Sequence, residues 1–172
     1  YSVTVFDAND KLGGMMQTGI PAYRLPRDFL EHEINLILKE GIDVESGKTM
    51  GKDFTLDDLN KQGYKAVFIA TGAQLAKKIP LEGSDAEGVQ YGIPFLYEVN
   101  NNGKPEVGNE VVVIGGGNVA TDVARSALRI SGNGNVSMYC LESRNEIPAH
   151  DWEVREAEEE GIIFHNKKSS KQ

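Results

Sequence analysis

The fold that this sequence predicts is decided by the stretch Val111-Val-Val-Ile-Gly-Gly-Gly-Asn-Val-Ala120-Thr-Asp-Val-Ala-Arg-Ser-Ala-Leu128. Apolar β-formers lead into glycines and then into an Ala-rich segment, so the predicted order is strand, tight turn and helix. Gly115, Gly117 and Ala120 fill the G-x-G-x-x-G/A pattern of a dinucleotide-binding turn. The glycines allow the turn and a close backbone approach to a pyrophosphate, and the small third residue allows close packing of helix on strand. We therefore predict that backbone N–H groups at this helix start bind a nucleotide diphosphate.

An acidic residue follows the next predicted strand, residues 135–142. Glu142 lies about 20 residues after Ala120, the spacing of the acid that accepts hydrogen bonds from the adenine ribose. A carboxylate there would repel a 2′-phosphate, which favours NAD over NADP. Arg144 has the opposite effect, because an arginine in this loop can reach a 2′-phosphate. The alternative is that Glu142 and Arg144 are only a solvated strand end.

The composition is that of an ordinary globular protein, with 40% of the 172 residues hydrophobic and 26% charged. A net charge of −8 argues against a nucleic-acid partner. The apolar runs are strand-sized and no secretory signal opens the chain, so we expect no membrane partner. Cys140 is the only cysteine, which excludes a CxxC disulfide reductase. We expect Cys140 to be a core thiol and the setting to be cytoplasmic.

Strands alternate with helices along the chain, which predicts an α/β fold of Rossmann-like three-layer units with parallel sheets. A loop at residues 79–84 is expected to join two units, so the predicted domains are residues 1–82 and 83–172. The predicted elements besides those above are a strand over 2–6, a helix over 27–40, a helix starting at Thr55, a buried strand over 65–71, a short helix over 94–99, an acidic helix over 151–160 and a strand over 162–165.

Several motifs that follow one another along the chain carry a family resemblance. They are Val3-Thr-Val-Phe-Asp7, Gly13-Gly14, Gly19-Ile-Pro21, Arg24-Leu-Pro26, Ala70-Thr-Gly-Ala73, the glycine turn and Pro148-Ala-His150. On these motifs nearly all of the chain resembles the glutamate synthase small (β) subunit and its relatives, which include the flavin domain of dihydropyrimidine dehydrogenase. The resemblance implies a flavoprotein fold with two dinucleotide-binding domains, in which an NAD(P) domain is inserted into an FAD domain.

The function implied by the resemblance is that of an NAD(P)H-dependent flavin oxidoreductase. A hydride would pass from the nicotinamide to FAD, and electrons would leave through iron–sulfur clusters. An iron–sulfur domain or subunit and a large catalytic subunit are the expected partners. NADH is favoured over NADPH, because Leu141 and Glu142 stand where many relatives carry adjacent arginines for the 2′-phosphate. No catalytic side chain and no metal site are expected.

The resemblance also assigns cofactor-binding roles to individual residues. Asp7 takes the position of the acid that holds the FAD ribose, and Arg24 that of a donor to FAD; the alternatives are a turn former and a surface charge. The other residues expected at FAD are Gly13, Gly14, Met15, Met50 (alternatively a core residue), Ala70, Thr71, Gly72 and Ala73. The residues expected at NAD(P) are Gly115, Gly116, Gly117, Asn118 and Val119 at the diphosphate, and Glu142, Ser143 and Arg144 near the adenosine.

The chain opens directly on a strand and ends on a polar segment, so we expect the flavoprotein fold to be truncated at both ends. The FAD glycine turn, the cluster cysteines and the later strands of the nucleotide unit would then lie outside it. Exposed edge strands would favour a homodimer. The alternative function is a non-catalytic nucleotide-binding or interaction module, inactive as the isolated chain.

The visible spectrum of the purified chain separates these two functions. We expect a colourless protein, because without its own glycine turn the FAD diphosphate has no helix start to bind. Flavin absorbance that stays with the protein through gel filtration would contradict this expectation. A colourless protein that still binds NADH would support the nucleotide-binding module.

Overall fold

The computed structural model describes residues 1–78, 80–101, 103–132 and 134–168. The chain divides into two compact units, Tyr1–Gln74 and Leu75–Gln172. The structural division precedes the loop at residues 79–84, where the sequence places the domain boundary. Ile79, the first residue of that loop, lies outside the described residues. The assignment of the domains to FAD and NAD(P) stays a prediction.

The first unit contains a parallel pair of strands and three helices. Strands β1 (Val3–Asp7) and β2 (Ile42–Ser46) pair in parallel, with Val3 opposite Ile42 and Asp7 opposite Ser46. Between them lie α1 (Met15–Thr18) and α2 (Arg27–Leu38), and α3 (Leu56–Lys61) follows β2. The predicted opening strand and the helix over 27–40 are confirmed.

Helix α3 begins where the sequence predicts it, at a capping box. The backbone N–H of Asp58 donates to Thr55 Oγ1 at 3.3 Å, and the N–H of Thr55 donates to Asp58 Oδ2 at 3.0 Å. The two bonds satisfy N–H groups that a helix start otherwise leaves without partners. The side-chain and backbone hydrogen bonds from Thr55 lower the pKa of Asp58.

The predicted buried strand over residues 65–71 is wrong. These residues are exposed and belong to no strand; Phe68 retains 92% of its exposure. A run of β-forming residues becomes a strand only beside another strand that takes up its hydrogen bonds. The described sheet of the first unit holds only β1 and β2, so residues 65–71 have no neighbouring strand there.

The second unit is built on a three-stranded parallel sheet. Strands β3 (Glu110–Ile114), β4 (Asn135–Tyr139) and β5 (Ile163–His165) lie in that order, with Ile114 opposite Tyr139 and Tyr139 opposite His165. Helix α4 (Gly92–Asn100) precedes the sheet, α5 (Asn118–Ser131) joins β3 to β4, and α6 (Asp151–Glu159) joins β4 to β5. The alternation of strand and helix confirms the α/β prediction.

The core of the second unit lies between the sheet and helices α5 and α6. Val113, Val136 and Met138 of the sheet are buried with Ala124 of α5 and Ala157 of α6. A smaller cluster, made of Phe95, Leu96 and Ala127, joins α4 to α5. The side chains on the other face of β3 are exposed, since Val112 and Ile114 retain 62% and 63% of their exposure. Alternation along β3 therefore orients one face of the sheet toward the helices.

A buried arginine links α5 to α6. Arg125 is 5% exposed and donates to Glu156 Oε2 at 2.7 Å and to Glu160 Oε1 at 2.6 and 3.0 Å. Arg129, one turn later, also reaches Glu160 Oε1 at 2.7 Å. The four side chains form an ion-pair group between the two helices. Sequence reasoning missed this group, although its signal is visible: arginines four positions apart and glutamates four positions apart on successive helices.

We predict that Arg125→Ala lowers the free energy of unfolding of the second unit by about 1–3 kcal/mol, because it removes charge-assisted hydrogen bonds and buried packing. Arg129→Ala is the matched control. Its side chain is 42% exposed, so its loss should cost less than about 1 kcal/mol. Fluorescence of Trp152, the only tryptophan and part of α6, follows unfolding in urea. Equal losses for the two variants would contradict the prediction.

Candidate functional site

Helix α5 begins without a capping side chain. Gly117 is its N-cap residue, with φ −90° and ψ 172°; it has no side chain to accept a capping hydrogen bond, and the first turn carries no acidic residue. The first N–H groups of a helix have no acceptor within the helix, and the helix dipole makes this end positive. The start of α5 therefore offers N–H donors and positive potential to an anion.

Each small residue of the glycine turn has a distinct steric reason. Gly115 has φ +138°, and a Cβ there would lie 3.2 Å from Ala120 Cβ. A Cβ on Gly116 would lie 3.1 Å from Cys140 Cβ. A Cβ on Gly117 would meet nothing within 4 Å, so it would project into open space at the helix start. Gly115 and Gly116 thus allow the fold, whereas Gly117 leaves room for a ligand.

The segment before α6 is fastened to this turn. The N–H of Ala149 donates to the Gly116 carbonyl at 3.0 Å, and the N–H of His150 donates to Asn118 Oδ1 at 3.2 Å. Asn118, expected at the diphosphate, therefore uses its side-chain oxygen to hold the start of α6. Sequence reasoning singled out Pro148-Ala-His150 as a motif but missed this contact.

Glu142 lies beside the glycine turn, as its spacing predicts. Its Oε2 is 3.2 Å from the point where a Cβ on Gly116 would stand. The Glu142 carbonyl accepts from the N–H of Lys167 at 3.1 Å and from Asn166 Nδ2 at 3.4 Å. These contacts fix the backbone that follows β4. The carboxylate and the open helix start thus occur together at the carboxyl end of the sheet.

The two residues after Glu142 are engaged by other carboxylates. The hydroxyl and the N–H of Ser143 both donate to Glu146 Oε2, and these bonds lower the pKa of Glu146. Arg144 donates to Glu158 through Nε at 3.1 Å and Nη2 at 3.0 Å. Hydrogen bonding to Glu158 raises the pKa of Arg144. Arg144 is therefore held by α6 in this structure.

Cys140 is the core thiol that the sequence predicts. It is 3% exposed, and its Sγ accepts from Asn166 Nδ2 at 3.3 Å. Burial raises the pKa of Cys140, and the nearby charge of Glu142 adds to the effect. A buried thiol that stays protonated is a poor nucleophile.

A cavity of about 810 Å³ within the second unit reaches the turn. Gly117 and Val119 line it at the start of α5, and Phe95, Val111 and Val113 contribute apolar walls. This volume lies in the range of small-molecule and cofactor sites. Val119, which is 47% exposed, is thus placed at the cavity as well as at the helix start.

The predicted FAD residues at the end of β1 are partly engaged in local structure. Asp7 Oδ1 accepts from the backbone N–H of Asn9 at 2.9 Å, so Asp7 forms the turn that the alternative interpretation expects. Gly13 has φ +116°, and a Cβ there would lie 3.2 Å from Leu30 Cδ2 of α2. Gly14, with φ +51°, has no atom within 4 Å of its Cβ position.

The other predicted FAD residues lie in several environments. Met15 begins α1, Arg24 is half-buried, and Met50 is 40% exposed and forms a β-bridge with Phe54. Residues 70–73 are exposed and lie outside every helix and strand. In the first unit, these predicted FAD residues are therefore divided between helix α1 and irregular segments.

Sequence reasoning missed Arg27, which holds the loop after the glycines of the first unit. Its guanidinium donates to the carbonyls of Ile20 at 2.6 Å, Met16 at 2.8 Å and Leu25 at 3.3 Å. Burial lowers the pKa of Arg27. No spacing rule indicates this contact, since the acceptors are backbone atoms of an irregular loop.

Within the described residues, no cluster of three or more His, Cys, Asp or Glu side chains is arranged to bind a metal ion. None of the described helices combines the length and the apolar character that crossing a membrane requires.

A strand, a glycine turn and an uncapped helix with an acid beside it are the elements by which dinucleotide-binding units are recognised. Comparison with known proteins identifies the family. Residues 2–172 match the pyridine nucleotide-disulphide oxidoreductase family, and the chain belongs to it. Its single cysteine excludes a redox dithiol within these 172 residues, whatever the family name.

Two relatives bear out the resemblance that the motifs indicated. The chain is 45% identical over 168 residues to the NADP(+)-dependent formate dehydrogenase subunit beta of Moorella thermoacetica, covering 96% of this chain and 24% of the relative. It is 37% identical over 139 residues to the glutamate synthase [NADPH] small chain of Bacillus subtilis, and the match covers 75% of this chain and 28% of that relative. The chain thus spans about a quarter of the length of these relatives.

The solved structure of a FprA variant from Mycobacterium tuberculosis shares the fold. The TM-score is 0.78 at 20% identity, over 93% of this chain and 41% of the other. This likeness confirms the Rossmann-type fold of the chain.

We predict that one substitution in the turn mainly lowers stability and that another mainly weakens nucleotide binding. Gly115→Ala should destabilise the second unit by about 1–3 kcal/mol, because alanine rarely adopts φ +138° and its methyl would press on Ala120. Gly117→Ala should cost less than about 1 kcal/mol, yet weaken NAD binding about tenfold, because its methyl occupies the ligand space. Urea unfolding and calorimetry measure the two effects. A Gly117→Ala protein with wild-type NAD affinity would contradict the site assignment.

Proposed function

We propose that the chain is part of an NAD(P)H-dependent FAD oxidoreductase that prefers NADH and passes electrons to an iron–sulfur partner. In this proposal the second unit binds the pyridine nucleotide and the first contributes to FAD binding. The open space at Gly117, in front of the uncapped start of α5, carries the proposal. A diphosphate fits there because the N–H donors, the positive helix end and the missing Cβ all favour it.

Different residues of the second unit would contact different parts of the nucleotide. Gly116, Gly117 and Val119 would surround the diphosphate, and Glu142 would accept hydrogen bonds from the adenine ribose. Asn118 would act through its side-chain bond to His150, which keeps the start of α6 against the turn. Nicotinamide and flavin, when bound, supply the hydride chemistry themselves. The protein's part is to orient the cofactors and exclude water, which requires no acid or base from this chain.

Two features support the preference for NADH. The Glu142 carboxylate stands beside the turn, where it would repel a 2′-phosphate, and Arg144 is already paired with Glu158. The relatives named above are NADP(+)- and NADPH-dependent by name, so this preference is the part of the proposal that departs from them.

Family membership supports the FAD part of the proposal, with Asp7, Gly13, Gly14, Met15, Arg24, Met50 and residues 70–73 as the proposed contacts. An iron–sulfur acceptor must lie elsewhere, because clusters need several cysteines and these residues include only Cys140. The β-subunit and small-chain names of the relatives support a partner subunit. The unpaired Cys140 supports a cytoplasmic setting.

Calorimetry with NAD and NADP tests the nucleotide assignment. We expect wild type to bind NAD about tenfold more tightly than NADP. Glu142→Ala should lose about tenfold in NAD affinity, because a charge-assisted hydrogen bond to the ribose disappears. Its NADP affinity should not fall, because the same change removes the repulsion of the 2′-phosphate, so its NAD:NADP affinity ratio should fall to one or below.

Glu142→Gln separates charge from hydrogen bonding, since it keeps an acceptor while removing the repulsion. Its NADP affinity should rise while its NAD affinity falls less than in Glu142→Ala. Tighter binding of NADP than of NAD to wild type would overturn the NADH preference. Wild-type protein that binds neither nucleotide would overturn the proposed function.

A further inference from the structure

Arg144 is the cation nearest in sequence to the ribose-binding acid. It follows Glu142 by two residues in the loop after β4, and its side chain is 38% exposed. A guanidinium presents N–H groups in a planar fork that matches the oxygens of a phosphate or a carboxylate. Arg144 therefore has the chemistry to bind a nucleotide 2′-phosphate from this loop.

In the structure, the Arg144 guanidinium binds a carboxylate instead. Arg144 Nε reaches Glu158 Oε1 at 3.1 Å and Nη2 reaches Oε2 at 3.0 Å, so the pair is bidentate. Glu158 lies on α6, the helix whose start is fastened to the glycine turn by His150 and Asn118. The carboxylate that holds Arg144 is thus on an element anchored to the same site.

A 2′-phosphate would compete with Glu158 for the same N–H groups. It would have to displace a bidentate partner, and it would then face the negative charges of Glu142 and Glu158 together. The ribose hydroxyl of NAD requires no such displacement, because a carboxylate alone can accept its hydrogen bond.

We infer that Glu158 is a specificity-determining positioning residue, which holds Arg144 away from the 2′-phosphate and so favours NAD over NADP. This inference rests on the proposed function. It assigns the preference to two carboxylates: Glu142 in the loop, and Glu158 one helix later.

Two adenine nucleotides that differ in the 2′-phosphate test the inference. Adenosine 2′,5′-bisphosphate carries the group and 5′-AMP lacks it, and calorimetry on the 172-residue chain gives both affinities without turnover. For Glu158→Ala we expect the affinity for adenosine 2′,5′-bisphosphate to rise about three- to fivefold relative to 5′-AMP, the size expected for a partly exposed ion pair. NADP relative to NAD should shift in the same direction.

Glu159→Ala is the matched control, because it removes an equal charge from an exposed neighbour on the same helix. It should change the ratio by less than a factor of two. Glu158→Ala with Arg144→Ala should lose the gain, since the released guanidinium is then missing. Circular dichroism and thermal melting confirm that each variant is folded.

An unchanged ratio in Glu158→Ala, or an equal change in Glu159→Ala, would overturn the inference while leaving the proposed function intact. A fall in the ratio would show that Glu158 aims Arg144 at the phosphate, and would also overturn it. Wild-type protein that binds none of NAD, NADP, 5′-AMP and adenosine 2′,5′-bisphosphate would overturn both proposals together.

Discussion

The start of α5 is the constraint on which the second unit depends. Its first N–H groups have no acceptor in the helix, and the N-cap residue, Gly117, has no side chain to cap them. Leaving them open lowers stability only slightly, since glycine at the N-cap costs about a few tenths of a kcal/mol relative to a capping Ser, Thr, Asn or Asp. The neighbouring features accommodate this opening: Gly115 turns the chain, Ala120 allows close packing, and Gly117 keeps the approach clear. The same feature that weakens the helix end gives it affinity for an anion.

Buried packing and ion pairs on the other side of α5 stabilise the helix away from its open start. Ala124 and Ala127 are almost fully buried, and Arg125 binds Glu156 in α6 and Glu160 at the C-terminal end of α6. Helix α6 is in turn fastened to the glycine turn by Ala149 and His150. The two helices therefore support each other, which keeps the glycine turn and the loop carrying Glu142 in fixed relation. A dinucleotide site needs that relation, because the diphosphate and the ribose are parts of one ligand.

Most of the regular structure could be predicted from local sequence. The strand, turn and helix over residues 111–128 follow from turn chemistry and periodicity, and α3 begins at a capping box that four residues specify. The wrong prediction of a strand over residues 65–71 has a physical reason. Residues 65–71 have the composition of a buried strand, but hydrogen bonding to a neighbouring strand is a non-local requirement, and these residues do not join the sheet of β1 and β2.

The sequence by itself determined the glycine turn, the position of Glu142 beside it and the burial of Cys140, because each depends on spacing along the segment that runs from β3 through α5 to the end of β4. Only the tertiary structure decided which partners the charged side chains have. Arg144 pairs with Glu158 of α6, and Arg125 pairs with Glu160 at the end of that helix. Asn118 accepts a hydrogen bond from the backbone of His150. These partners are set by how α6 packs on α5 and on the loop after β4. An ion pair forms wherever packing brings opposite charges within a few ångströms, whatever their separation along the chain.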